Sequence, residues 1–68
     1  MTMYRANFGD GTYTSAFSDI RDARLAKWGR AAVVQYRTSI EVCRGGVWAV
    51  IEPSRASQNG PAIAEVRA

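Results

Sequence analysis

The sequence predicts an α+β fold: a single two-layer domain over residues 1–68, with one helix packed on an antiparallel sheet of three to four strands. Three observations carry this expectation. Residues 31–44 alternate between apolar and polar side chains, the Gly45-Gly46 pair joins them to a second apolar run, and residues 15–28 carry helix start and stop signals. With 68 residues the chain buries about 60% of its unfolded surface, so a net stability near 5 kcal/mol is the realistic scale.

The first strand is expected over residues 3–8, with Met3, Arg5 and Asn7 on one face and Tyr4, Ala6 and Phe8 on the other. Gly9-Asp10-Gly11 ends it with turn chemistry, and Thr12, Tyr13 and Thr14 form either a short return strand or a loop. The helix follows, with Ser15 or Thr14 as N-cap and Gly29 as a left-handed C-cap. Asp19 and Asp22 near its start and Arg24, Lys27 and Arg30 near its end complement the helix dipole. Ala16, Phe17, Ile20, Ala23, Leu25 and Trp28 make its apolar arc, which predicts a core of Phe17, Ile20, Val34, Tyr36, Ile40 and Val42.

The alternating stretch 31–44 is long for one strand, which places a bend or bulge near Thr38. Paired glycines then supply the positive φ that a tight hairpin needs. A two-residue loop sets Arg44 opposite Val47, Val42 opposite Ala49 and Ile40 opposite Ile51, sending Ala49 and Ile51 to the core. A three-residue loop swaps the two sets of side chains, and the sequence leaves both registers open. Pro53 ends the strand, residues 54–61 read as a polar loop with an Asn59-Gly60 turn, and residues 62–68 as a short edge strand or a loose tail.

Composition excludes more functions than it suggests. The chain has no histidine and one cysteine, Cys43, so imidazole bases, Cys–His nucleophile pairs and an intrachain disulfide are ruled out. No apolar run approaches the length of a membrane span, and Met1-Thr2-Met3-Tyr4-Arg5 lacks the apolar core of a secretory leader. Asp19 and Asp22 serve the helix dipole better than acid–base chemistry, and Gly9-Asp10-Gly11 lacks the lysine of a phosphate loop. The expectation is a protein that is not an enzyme and needs no cofactor or metal. Nine cations against six acids give net +3, which favours an acidic partner.

Two surfaces are candidates for binding. Arg21, Arg24, Lys27, Trp28 and Arg30, with Arg37 as a strand contributor, form a basic, aromatic-edged ridge, with residue types that dominate interface energies. The competing role for these cations is snorkelling, in which their stems cover the core edge and their heads reach water. Cys43, Trp48 and Val50 share the sheet face away from the helix and suggest self-association as a homodimer.

On the helix 15–29, the long strand 31–44 and the hairpin into Val47-Trp48-Ala49-Val50-Ile51, the chain resembles small phage-encoded inhibitors of CRISPR–Cas systems. The likeness spans residues 3–52 and is one of β-α-β-β architecture. It implies stoichiometric binding to a host Cas effector, typically a type I surveillance complex, in the host cell cytoplasm. Many such inhibitors are acidic DNA mimics. A basic one implies contact with acidic Cas surfaces or with nucleic acid in the complex. The alternatives are a small basic nucleic-acid-binding module and a homo-oligomeric assembly protein.

Overall fold

The computed structural model describes residues 2–57. In chain order they form β1 (Met3–Asn7), α1 (Ile20–Trp28), α2 (Ala32–Arg37), β2 (Ser39–Arg44) and β3 (Val47–Glu52), followed by helical residues 55–57. The strands make one antiparallel sheet in the order β1-β2-β3, an α+β arrangement. The edge strand expected over 62–68 and the Asn59-Gly60 turn lie outside the described residues.

Strand alternation places Tyr4 opposite Val42 and Ala6 opposite Ile40, and these residues face the helices. The core is small: Ala6, Phe8, Ala23, Ile40 and Val42 are buried, and Tyr4, Phe17, Ile20 and Val34 pack partly against the cluster. Alanines at 6 and 23 carry only a methyl group each, which lets α1 lie close on β1.

The outer edge of β1 is occupied. Tyr4 and Phe17 exchange two backbone bonds of 2.7 Å, Thr14 N–H donates to Ala6 O at 2.9 Å, and the Thr14 hydroxyl accepts from Ala6 N–H at 3.0 Å. This return segment takes up polar groups that a bare edge would leave open. It also corrects the expected helix start: the helix begins at Ile20, because residues 13–17 are used on the edge of β1. Asp19, rather than Ser15 or Thr14, is the cap; its carboxylate accepts from Arg21 N–H at 2.9 Å. Gly29 closes α1 as expected but with φ −75°, a right-handed rather than left-handed conformation.

The apolar arc is also narrower than expected. The buried stripe centres on Ala23, and Leu25 and Trp28 sit about 160° and 140° round the helix from it, leaving them 66% and 61% exposed. The larger correction concerns residues 31–44. Ala32–Arg37 is helical and only Ser39–Arg44 is strand, with the break at Thr38, where the sequence places a bend. Side-chain bonds to backbone hold the helical turn. Gln35 Nε2 donates to Trp28 O (3.1 Å) and Arg30 O (2.7 Å), and the Thr38 hydroxyl donates to Val34 O at 2.6 Å. Consequently Tyr36 leaves the expected core and is 46% exposed.

The hairpin takes the two-residue register. Arg44 pairs with Val47 and Val42 with Ala49, and Gly45 and Gly46 have φ of 59° and 81°, as a type I′ turn requires. An irregularity between Ile40 and Glu41 then shifts the pairing, so Ile40 meets Glu52 instead of Ile51. Ala49 and Ile51 are exposed rather than part of the core.

Candidate functional site

The structure divides the expected ridge among different partners. Arg21 folds back on Asp19 (Nη2–Oδ2 3.0 Å). Arg24 reaches across to Glu52 on β3 (Nε–Oε2 2.9 Å), tying α1 to the sheet. Arg37 belongs to α2 and not to a strand; its Nε donates to Phe8 O at 2.8 Å and its Nη2 lies 3.6 Å from Asp10 Oδ2. Arg30 lies over the Phe8 ring at 4.3 Å, so Arg30 and Arg37 flank a second hollow beside Phe8, Thr12 and Val34. The acids of these pairs respond. The Thr12 hydroxyl and N–H, with Arg37 beyond them, hold the Asp10 carboxyl below its ordinary range. The Arg21 side chain and N–H do the same for Asp19.

Lys27 and Trp28 remain, and they meet residues that the sequence reading did not join to them. A groove of about 200 Å³ opens between the end of α1, α2 and the turn after β3, lined by Lys27, Trp28, Ala32, Gln35, Tyr36 and Arg55. Its geometry is set by the short α1–α2 link. Gly29 N–H donates to Leu25 O at 2.9 Å and Arg30 N–H to Lys27 O at 3.0 Å, while the Gln35 amide clamps the carbonyls of Trp28 and Arg30. That clamp fixes Trp28 on one helix relative to Tyr36 on the next. Ser54, buried, accepts from Ser57 N–H at 3.1 Å and so shapes the turn that carries Arg55.

The groove has a one-sided chemistry. Among the described residues its lining holds two cations, two large aromatic rings and no carboxylate. Neither Lys27 nor Arg55 forms an ion pair among the described residues. The Lys27 ammonium stands 5.3 Å from the centroid of the Trp28 ring. The sequence assigns Tyr36 to the core side of a strand and Arg55 to a loop, and so leaves both outside the ridge. The missed signal is the Val33-Val34 pair, which breaks the period-two pattern.

The second expected surface is assembled on the sheet face opposite the helices. Cys43 pairs with Trp48, and Val50 lies opposite Glu41. Trp48 is not free there: the Arg5 guanidinium is sandwiched between the rings of Trp48 (4.1 Å) and Tyr13 (3.9 Å). Glu41, 8% exposed, accepts from Arg5 Nε at 2.7 Å and from Asn7 Nδ2 at 3.0 Å. The polar centre of this face is therefore internally satisfied. Val50 and Ile51 are exposed beside it on β3, whose outer edge pairs with nothing among the described residues.

No helix among the described residues is long and apolar enough to cross a membrane. Comparison with known proteins does not extend this geometry: no family model, curated protein or solved structure matches the chain.

Proposed function

We propose that the chain is a non-enzymatic binding module whose working surface is the groove between α1, α2 and Arg55, and whose partner presents negative charge. The observation that supports this reading is the lining itself. Lys27 and Arg55 stand beside exposed Trp28 and Tyr36, and no acid among the described residues pairs with either cation. Arginine and tryptophan at one concave patch are the side chains that lose least and gain most on being covered. The cations of the former ridge play a different part, since Arg21 and Arg24 are committed to Asp19 and Glu52.

The test compares single charge reversals of equal size. Lys27→Glu and Arg55→Glu should elute from a polyanionic resin at clearly lower salt than the parent. Arg44→Glu, on the exposed hairpin, changes net charge identically and should shift elution less. Equal shifts for all three variants would mean a diffuse charge effect and would remove the groove from its assigned role.

A narrower form of the proposal takes the negative partner to be a host CRISPR–Cas effector, blocked by one copy of this chain. It is supported by the helix-and-hairpin likeness. The long strand that contributed to the likeness is replaced by α2 and β2. Adding the purified chain to a type I surveillance complex and measuring its DNA binding tests it. Stoichiometric loss of DNA binding that Lys27→Glu relieves is the expected result, and undiminished DNA binding at molar excess rejects it.

A further inference from the structure

We propose that the groove takes single-stranded nucleic acid, seating one unpaired base against Trp28 and Tyr36 while the flanking phosphates meet Lys27 and Arg55. This deepens the reading above and rests on it. The first ground is size and shape. At about 200 Å³ the groove is smaller than the roughly 300 to 1,000 Å³ that encloses a whole small molecule, and it suits one flat ring of a longer ligand. Ala32 contributes only a methyl group to the lining, which leaves room between the larger side chains.

The second ground is the kind of side chain. An acidic peptide would satisfy Lys27 and Arg55 but covers Trp28 and Tyr36 only where separate aromatic residues fall at the right spacing, whereas every nucleotide carries a ring and a phosphate together. A duplex would present phosphates while keeping its bases stacked away. An unpaired strand offers both a π-face and a phosphate at adjacent positions, and single-strand binders combine those features. The Lys27 ammonium stands over the Trp28 ring, so a base that takes this face displaces the flexible Lys27 side chain toward the flanking phosphate, and a base on the other face leaves it in place. The Gln35 clamp supplies the third ground, because it holds Trp28 and Tyr36 in a fixed relation before any ligand arrives.

Stacking on Trp28 and Tyr36 with no donor or acceptor code implies little sequence preference. Two phosphate contacts imply a shallow salt dependence, with log K falling by roughly 1.4 per decade of salt.

The experiment is a fluorescence-anisotropy titration of labelled oligo(dT), an abasic strand of equal length and charge, and polyglutamate, each against the full chain. The expected order is oligo(dT) tightest, with the abasic strand weaker by about 5- to 150-fold, the range for one base–aromatic stack. Trp28→Ala should weaken oligo(dT) by a similar factor while leaving the abasic strand unchanged, and Tyr36→Ala should weaken oligo(dT) in the same direction. Lys27→Gln with Arg55→Gln should remove most of the salt slope. Trp28 is exposed, so its replacement leaves the fold intact, and unchanged circular dichroism checks this.

If the abasic strand binds as tightly as oligo(dT) and both depend on Lys27 and Arg55, the base-stacking proposal is overturned while the anionic groove survives. Tighter binding of polyglutamate than of oligo(dT) overturns it in favour of an acidic protein. If none of the three polyanions responds to Lys27→Gln and Arg55→Gln, this inference and the proposed function fall together.

Discussion

Gly9 is where the turn after β1 meets the end of α2, and replacing it with alanine isolates that contact. Its φ is +79°, and a Cβ there would stand 2.6 Å from the Arg37 carbonyl oxygen. Two costs follow. Holding a non-glycine residue in the left-handed region costs roughly 1–2 kcal/mol. Forcing the Arg37 carbonyl aside adds about 1–3 kcal/mol, the usual scale of overpacking. Gly11 is the internal control: its φ is +90° but a Cβ there meets nothing within 4 Å. Gly11→Ala should therefore show only the conformational cost. Any gain from a stiffer unfolded chain is common to both variants and cancels in the difference. Urea denaturation followed by circular dichroism should find Gly9→Ala less stable than Gly11→Ala by about 1–3 kcal/mol. At this chain length that corresponds to a gap of roughly 4–20 °C in Tm. Two variants that melt within a degree of each other would refute the seat of α2 on this turn, and with it the fixed position of Tyr36 one residue before Arg37.

Three further outcomes are expected. Arg5→Met leaves the buried Glu41 carboxylate without its cation and should cost about 3 kcal/mol, read by thermal melting; a loss under about 1 kcal/mol would contradict the sandwich between Tyr13 and Trp48. Ile40→Ala removes a fully buried side chain at the centre of the sheet and should cost about 2–5 kcal/mol, near the whole stability of so small a fold; a parental melt would reject the core assignment. Asp19 has a folded-state pKa lowered from 3.8 by Arg21, so its capping contribution is present above that value and is lost as pH falls through the lower folded value. Asp19→Asn should therefore flatten the acid side of the stability curve below about pH 4, and an unchanged acid slope would exclude the cap from acid unfolding.

What the sequence made legible is what short-range physics decides. The faces of β1 follow from strict alternation. The hairpin follows from two glycines with φ of 59° and 81°, while the choice between its two registers is made by the pairing of β2 with β3 and is not written in the glycines. A discontinuity near Thr38 follows from a stretch too long for one strand, but its form, a helix giving way to a strand, does not. What escaped depends on contacts between distant segments. Residues 15–17 are helical by local capping signals, yet Phe17 exchanges backbone bonds with Tyr4 and extends the return segment along the β1 edge. Residues 32–37 are strand-like by composition, yet Gln35 and Thr38 find backbone carbonyls that only a helical turn brings within reach. The site suffered the same way. Helix spacing alone defines the ridge, and in the fold Asp19, Glu52 and Asp10 pair with three of its arginines. Lys27 and Trp28 line a groove because α2 brings Tyr36 beside them.

The most direct test of the groove as the working surface is a ¹⁵N-labelled titration of the intact chain with oligo(dT), followed by backbone amide shifts. The largest changes should fall at Lys27, Trp28, Ala32, Gln35, Tyr36 and Arg55, the Trp28 indole N–H should move, and the Trp48 indole N–H on the opposite sheet face should stay in place. Shifts confined to the sheet face of Arg5, Trp48 and Val50, or to the hairpin at Gly45-Gly46, would contradict the groove as the binding surface.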